Sequence, residues 1–544
     1  MDSIKIAQEA ELLPVHEVAS RIGLGEDEVT SWGDFKGKVR LEAVHRRSGR
    51  PRGRLVLVTT INPTKWGEGK TTVTIGLSQA MWKIGHSSVL GVREPSLGPT
   101  MGIEGGAAGG GYSQVLPMED INLHFTGDLY AVSSAHNLLA ALLNNHMYHG
   151  NRKNIDSKSI LWHRVMDMAD RALRRIVVGL GGLEGIQGGV THEDKFDITA
   201  ASEVMAVLCL SRSIPELKEK LSRILVARDF DGNPVWASDI GGVGAMALLL
   251  KDALRPNIVQ TTENTPAFVH GGPFANIAHG TSSILSTLLG LSTAEYFITE
   301  AGFGSDLGAE KFFNIVCRAF GIHPSATVLV VTVRSVKRHG RGSLKDGFEN
   351  VRKHIENLQG FNVPVVVAVN RFMDDPEEDV RALAEMCQNM VRTVVVDPYM
   401  KGGEGTIPLA EAVVDAAEDR TPRYTYPLDA GLREKIELVA GRIYGADKVV
   451  YSVRAEKQIE YLEGIGLGNL PICMAKTQYS LSEDPKLLGR PEGFKLHIRE
   501  VAASSGAGFI VPFTGTITTM PGLPRTPSAM GMDIDEHGRI SGLF

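Results

Sequence analysis

Short runs of β-branched and aliphatic residues alternate along the chain with segments whose apolar positions recur every three or four residues. That alternation predicts an α/β fold: a mostly parallel sheet with helices on both faces. The runs place strands at 54–60, 88–93, 257–262, 296–299, 327–333, 364–369 and 393–396. Val365 to Val369 is apolar at every position, as a strand buried on both sides requires. Helix signals are equally legible. Ser213-Ile214-Pro215-Glu216 combines a capping serine, a proline in the first turn and an acid, and Leu217, Leu221, Ile224 and Leu225 follow on one face. Leu432, Ile436, Val439 and Ile443 form a second stripe, and both stripes read as core faces. From Lys448 the rhythm changes to a smaller α/β unit ending in a Gly/Pro-rich tail, so the expected division is 1–355, 356–447 and 448–544.

Composition narrows the function. With 43% apolar and 22% charged residues in 544, collagen-like and disordered chains are excluded. The balance of 57 basic against 63 acidic residues leaves a net charge of −6, which offers no general grip on nucleic acid. Small molecules are the expected partners. Cys209, Cys317, Cys387 and Cys473 are widely spaced and form no CxxC pair, which argues against a disulfide framework or zinc knuckle. The acidic start and the absence of a long apolar run lead to the expectation of a cytoplasmic protein without membrane contact. Five arginines between His45 and Arg54 read either as a solvated linker or as an anionic docking patch. His146 and His149 have no acidic neighbour and read as solvated.

Sixty glycines point to close approaches of the backbone, and several lie where strands end. The first strand runs into Asn62-Pro63-Thr64-Lys65-Trp66-Gly67-Glu68-Gly69-Lys70-Thr71-Thr72, and a helical pattern follows. This is the context of a phosphate-binding P-loop: backbone N–H groups and a helix N-terminus for phosphate oxygens, Lys70 for the β/γ-phosphates, Thr71 for Mg²⁺. Thr64 stands where the strict motif has its first glycine, and Lys65 falls at the signature lysine of deviant P-loops. The second strand ends in Arg93-Glu94-Pro95-Ser96-Leu97-Gly98-Pro99, and a glycine-rich stretch from 105 to 111 follows, a surface loop or a backbone wall against a ligand. Further polar tips at Thr262-Glu263-Asn264, Thr299 to Gly304, Asn370-Arg371-Phe372 and Asp397-Pro398-Tyr399 imply one crevice beyond the strands' C-terminal ends. Asn370 and Asp374 are spaced almost as in the base-reading element of GTPases; a capped turn explains them equally.

Together these segments resemble the formate–tetrahydrofolate ligase family, as do Pro117 to Asp128, Thr265 to Phe274, Lys401 to Gly405 and Met520 to Pro524, which extend the likeness over nearly the whole chain. The resemblance implies a homotetrameric, three-domain ATP-dependent ligase that makes formyl phosphate from formate and transfers the formyl group to tetrahydrofolate. It implies Mg²⁺ with the ATP and a monovalent cation, K⁺ or NH₄⁺. The first division would carry nucleotide and formyl phosphate, the second would contribute to the folate/nucleotide cleft, and the third would be a small C-terminal unit. Lys70, Arg93 and Glu94 would be catalytic. Thr64, Lys65, Trp66, Gly67, Glu68, Gly69, Lys70, Thr71 and Thr72 would hold the nucleotide, and Thr71 the metal. Arg93, Gly302, Phe303 and Gly304, with the N–H groups of both glycines, would line the formyl phosphate pocket. Asp128 would hydrogen-bond the pterin, and Phe372 and Tyr399 would sandwich it.

The chain departs from the family pattern at Lys65-Trp66, Ala169, Thr281-Ser282, Tyr399 and Thr516, and at Glu104, where a lysine is expected beside the phosphate crevice. Two other readings are carried alongside: a P-loop switch protein, and a diverged paralogue that binds folate or nucleotide with little ligase activity.

Overall fold

The computed structural model describes residues 3–47, 52–65, 67–102, 108–181 and 187–543. All seven expected strands lie in one twelve-stranded sheet. In spatial order its central strands are Asn257–Thr261, Pro266–Val269, Ser88–Val92, Tyr296–Gly304, Arg54–Thr60, Ala326–Val331, Val365–Asn370 and Thr393–Val396. From Pro266–Val269 to Thr393–Val396 every neighbouring pair is parallel. Asn257–Thr261 instead pairs antiparallel with Pro266–Val269, so the sheet is mixed at that side. The physical reason is the short link between them, in which Asn264 has φ +57°: a tight turn joins only antiparallel neighbours.

Side-chain alternation assigns the layers. Val56 and Val58 pack with Val73, Leu77, Leu409 and Val413, so helices Lys70–Lys83 and Ile407–Ala416 cover one face. Leu55 and Leu57 point the other way, toward Leu285, Leu289, Val351 and Ile355 of helices Ile284–Thr293 and Leu344–Gly360. Val365–Asn370 is buried throughout, whereas the edge strand Thr393–Val396 is only partly covered. The strand expected at 327–333 stops at Val331, because Thr332 caps the next helix by accepting the Ser335 N–H at 3.1 Å. Tyr296–Gly304 runs five residues beyond the expected 299, and its register against Arg54–Thr60 breaks between Glu300 and Gly304.

The capping signal and both stripes fall in helices Ile214–Ser222 and Leu432–Val439, with Leu217, Leu221, Leu432, Ile436 and Val439 fully buried, but the first helix ends before Ile224 and Leu225, and Leu225 opens the strand Leu225–Asp229 instead. Val365–Asn370 and Thr393–Val396 carry the large sheet past residue 355. A separate three-stranded sheet begins with Lys448–Tyr451 and continues with Lys495–Ser504 and Phe509–Thr514. Among the described residues no helix is long and apolar enough to cross a membrane.

Candidate functional site

Because the central strands are parallel, Thr60, Val92, Glu300, Val331 and Asn370 bring their C-terminal ends to the same edge, and the nominated residues cluster there. The loop after Arg54–Thr60 is held from beneath by Asn62, which is fully buried. The Asn62 N–H donates to His354 Nε2 at 3.1 Å, its amide donates to Asp306 Oδ1 at 3.2 Å, and His339 Nε2 donates to its carbonyl at 2.9 Å.

Glu68 ties the loop to itself. Its carboxylate accepts the Thr64 N–H at 2.6 Å and the Thr332 hydroxyl. Burial pushes the Glu68 pKa up against these hydrogen bonds. At Gly69, φ is +66°, and a Cβ would lie 2.5 Å from Asn370 Nδ2; that amide donates to the Glu68 carbonyl at 3.0 Å. The Asn370 amide, considered above as a base reader, thus fixes the loop where it enters helix Lys70–Lys83. Thr64 and Thr72 are buried, Lys65 and Gly67 are exposed, and Trp66 lies outside the described residues.

At the start of that helix, Lys70 Nζ lies 2.7 Å from Glu300 Oε2, and the Thr71 hydroxyl donates to the same oxygen at 2.8 Å. Burial lowers the Lys70 pKa, against the attraction of Glu300. Burial would raise the Glu300 carboxyl, but the charges of Lys70 and Arg93 outweigh it and hold it below the ordinary carboxylate range. From the sequence, Glu300 reads only as part of a polar strand tip. Its usable signal is an acid at the C-terminal end of the strand beside Arg54–Thr60, a pairing that a single sequence does not display.

Arg93 leaves the end of Ser88–Val92 and donates from Nη1 to Pro273 O at 3.0 Å. A Cβ on Gly302 would sit 3.0 Å from Arg93 Nη2 and 2.5 Å from Ala275 Cβ, so only glycine lets the guanidinium lie against this backbone. Phe303 has φ +61°, a costly conformation for a bulky residue, and its side chain is half-buried. The Gly302 N–H, expected to face an acyl phosphate, is engaged by Gly280 O at 2.9 Å; the strand's register break turns it toward that loop.

Glu94 and Asp128 lie deeper. The Glu94 N–H donates to Gly271 O at 2.8 Å, and its carboxyl is driven well above the ordinary range by burial and then by the Asp128 charge. Asp128, 2% exposed, is ion-paired to fully buried Lys38 at 2.8 Å and accepts from Asn257 Nδ2 at 2.8 Å.

The two aromatic residues have different surroundings. Arg334 stacks on Phe372 with its guanidinium carbon 3.6 Å from the ring centroid, and donates to Gly67 O at 2.6 Å. One face of Phe372 is therefore covered by the protein. Tyr399 is 36% exposed and packs on the end of the glycine run, where Cβ atoms on Gly110 and Gly111 would meet its ring at 3.1 and 2.8 Å. Gly110 and Gly111 are thus a wall against this chain's own tyrosine, while Gly109 lies against Ser113 and Ile75. Residues 103–107, with Glu104, lie outside the described residues.

A helix-initiating loop, two cations and a shared carboxylate stand together at the carboxyl edge of a mostly parallel sheet, the place where α/β enzymes bind their ligands. The chain belongs to the formate–tetrahydrofolate ligase family, whose model matches residues 1–544. It is accordingly an ATP-dependent ligase with ATP, formate and tetrahydrofolate as its substrates.

Proposed function

We propose that the chain makes 10-formyltetrahydrofolate in two steps at this crevice, with the loop 62–72 acting as a P-loop. A formate oxygen attacks the γ-phosphorus of ATP, ADP leaves, and formyl phosphate forms. N10 of tetrahydrofolate then attacks the formyl carbon, the C–O bond to phosphate breaks, and N10 loses its proton. Formate is a poor electrophile because its leaving group would be oxide; the mixed anhydride offers phosphate instead. The protein's task is positioning and charge neutralisation.

The observation that carries this reading is the convergence of Lys70 and Thr71 on one Glu300 oxygen, with Arg93 beside them. When a triphosphate enters, its oxygens take the place of Glu300 as partner to Lys70. Thr64 to Thr72 wrap the phosphates, and Arg93 with Gly302 to Gly304 holds the acyl phosphate. Mg²⁺ fits the donor set: the Thr71 hydroxyl and the Glu300 carboxylate are hard oxygen ligands side by side. When bound, the ion screens phosphate charge. Glu94 keeps its place as a buried acid behind Arg93. Asp128 would meet the pterin by trading its Lys38 contact, and Phe372 would stack on it with the ring face that Arg334 leaves open, opposite Tyr399. A homotetramer, a monovalent cation, a cytoplasmic setting and a division near 355 and 447 belong to the same reading.

The test is ADP release with and without formate and tetrahydrofolate, read beside the acid-induced absorbance of methenyltetrahydrofolate. Turnover that needs all three substrates and disappears in Lys70→Ala supports it. A Lys70→Ala enzyme with undiminished turnover overturns the loop's role.

A further inference from the structure

The segment 271–283, between strand Pro266–Val269 and helix Ile284–Thr293, wraps around Arg93 and is held at three points. Arg93 Nη1 donates to Pro273 O at 3.0 Å, the fully buried Lys311 ammonium donates to Ala275 O, and the Gly302 N–H donates to Gly280 O at 2.9 Å. His279 sits between the last two anchors. It is 0% exposed, yet neither Nδ1 nor Nε2 has a hydrogen-bond partner among the described residues. The neighbouring Thr281 Oγ1, also buried, shares that condition.

The other two fully buried histidines of this chain behave differently. His270 contacts Ser283 Oγ at 2.6 Å and Ala253 O at 2.7 Å, and His354 contacts Ser305 Oγ at 2.7 Å and Asn62 Oδ1 at 3.0 Å. An imidazole sealed from solvent with both nitrogens idle is costly, and native structures keep such groups where a ligand, an ordered water or local strain accounts for them. Burial, reinforced by the Arg93 and Lys311 charges, pushes the His279 pKa down to about 3. The ring is therefore neutral at working pH and carries one N–H donor and one lone pair.

Resting on the acyl phosphate reading of the Arg93 crevice, we propose that His279 is a substrate-binding residue: its N–H donates to an oxygen of the formate carboxylate, and of the acyl phosphate derived from it, held against Arg93. Thr281, two residues along the same segment, adds a buried hydroxyl that has no other partner among the described residues. A neutral donor orients the small anion without adding a third cation that would retain the departing phosphate.

The test uses the full chain with His279→Ala, His279→Gln and His279→Asn. His279→Ala is expected to raise the KM for formate by about tenfold or more, with the KM for MgATP within about twofold of the parent, as loss of one hydrogen bond to a charged group implies. One of the two amide variants restores formate binding, because its NH₂ takes the place of Nε2 (Gln) or Nδ1 (Asn). Variants that fold with an unchanged KM for formate and only a lower melting temperature overturn the proposal. Crystals of the unaltered protein with MgADP and formate give a readout independent of mutation: a formate oxygen within hydrogen-bond distance of a His279 nitrogen supports it, and an ordered water there with formate elsewhere overturns it. If Lys70→Ala abolishes turnover while His279→Ala leaves formate binding intact, this inference alone fails. If Lys70→Ala is fully active, the reading beneath it fails first.

Discussion

The Lys70 ammonium, at the start of helix Lys70–Lys83, and the Glu300 carboxylate, on strand Tyr296–Gly304, meet at 2.7 Å, the lysine 12% and the glutamate 2% exposed at their side chains. In the proposed P-loop reading, the carboxylate occupies the position a phosphate oxygen would take, and ligand binding exchanges the one contact for the other.

Glu300→Gln leaves Lys70 and Arg93 in a buried site without their anion. Removing one partner of a buried pair costs about 3–5 kcal/mol, and partial loss of the Lys70 proton reduces that cost. Urea unfolding should show a midpoint below the parent's, and saturating ATP without Mg²⁺, which leaves the metal-ligand role of Glu300 out of the comparison, should recover more stability in the variant than in the parent. Equal gains in both proteins would show that phosphate does not replace Glu300.

Gly302→Ala places a methyl group 3.0 Å from Arg93 Nη2 and 2.5 Å from Ala275 Cβ. Displacing the guanidinium by even a fraction of its contact distance should lower formate-dependent kcat/KM by about 10²-fold, while nucleotide binding measured by calorimetry stays close to the parent's. An unaffected kcat/KM for formate would separate Arg93 from the acyl phosphate.

Arg334 joins Phe372 to the Gly67 carbonyl by stacking on one and donating to the other. Lysine cannot stack or fork in this way, so Arg334→Lys should raise the KM for MgATP by about three- to tenfold. Phe372→Leu should raise the KM for tetrahydrofolate and, through the loosened Arg334, that for MgATP as well. A Phe372→Leu effect on tetrahydrofolate alone would mean that the stacked arginine does not support the loop.

Glu203 lies in a second cleft of about 1280 Å³, lined also by Arg228, Arg454 and Arg499. Its carboxyl accepts the Gly506 N–H at 2.6 Å, yet burial outweighs this and pushes its pKa up to about 8. Between the ordinary carboxylate value near 4.5 and about 8, the unfolded chain is ionised there and the folded chain still binds the proton. Stability from this group is therefore full below about 4.5 and falls as pH rises through that window. Glu203→Gln keeps an acceptor for Gly506 and removes the slope, so its advantage should be near zero at pH 5 and about 1–3 kcal/mol at pH 8. Parallel stability–pH curves for the two proteins would refute the assignment.

Local pattern made much of the scaffold readable. The strand at 54–60, its loop and its helix were legible because alternation, glycine placement and helical spacing all lie within about twenty consecutive residues. Pro266–Val269 was missed because four residues beside a glycine-rich segment give too short a run, and its pairing direction depends on a turn at Asn264. The 296–299 run was extended to Gly304 because tertiary pairing with Ser88–Val92 and Arg54–Thr60, not β-propensity, holds the glycine-containing end.

The candidate site divides in the same way. Lys70, Thr71 and Arg93 carry their chemistry in their spacing and strand-end position, so the chain alone nominates them and the family to which it belongs. Glu300 as their shared partner, Arg334 as the cover on Phe372, Asn370 as a loop anchor and His279 as an idle imidazole were decided by tertiary structure. Each depends on which strand ends become neighbours and on which polar atoms lose water without gaining a partner. Those are distances between segments remote in the chain, and no local pattern encodes them.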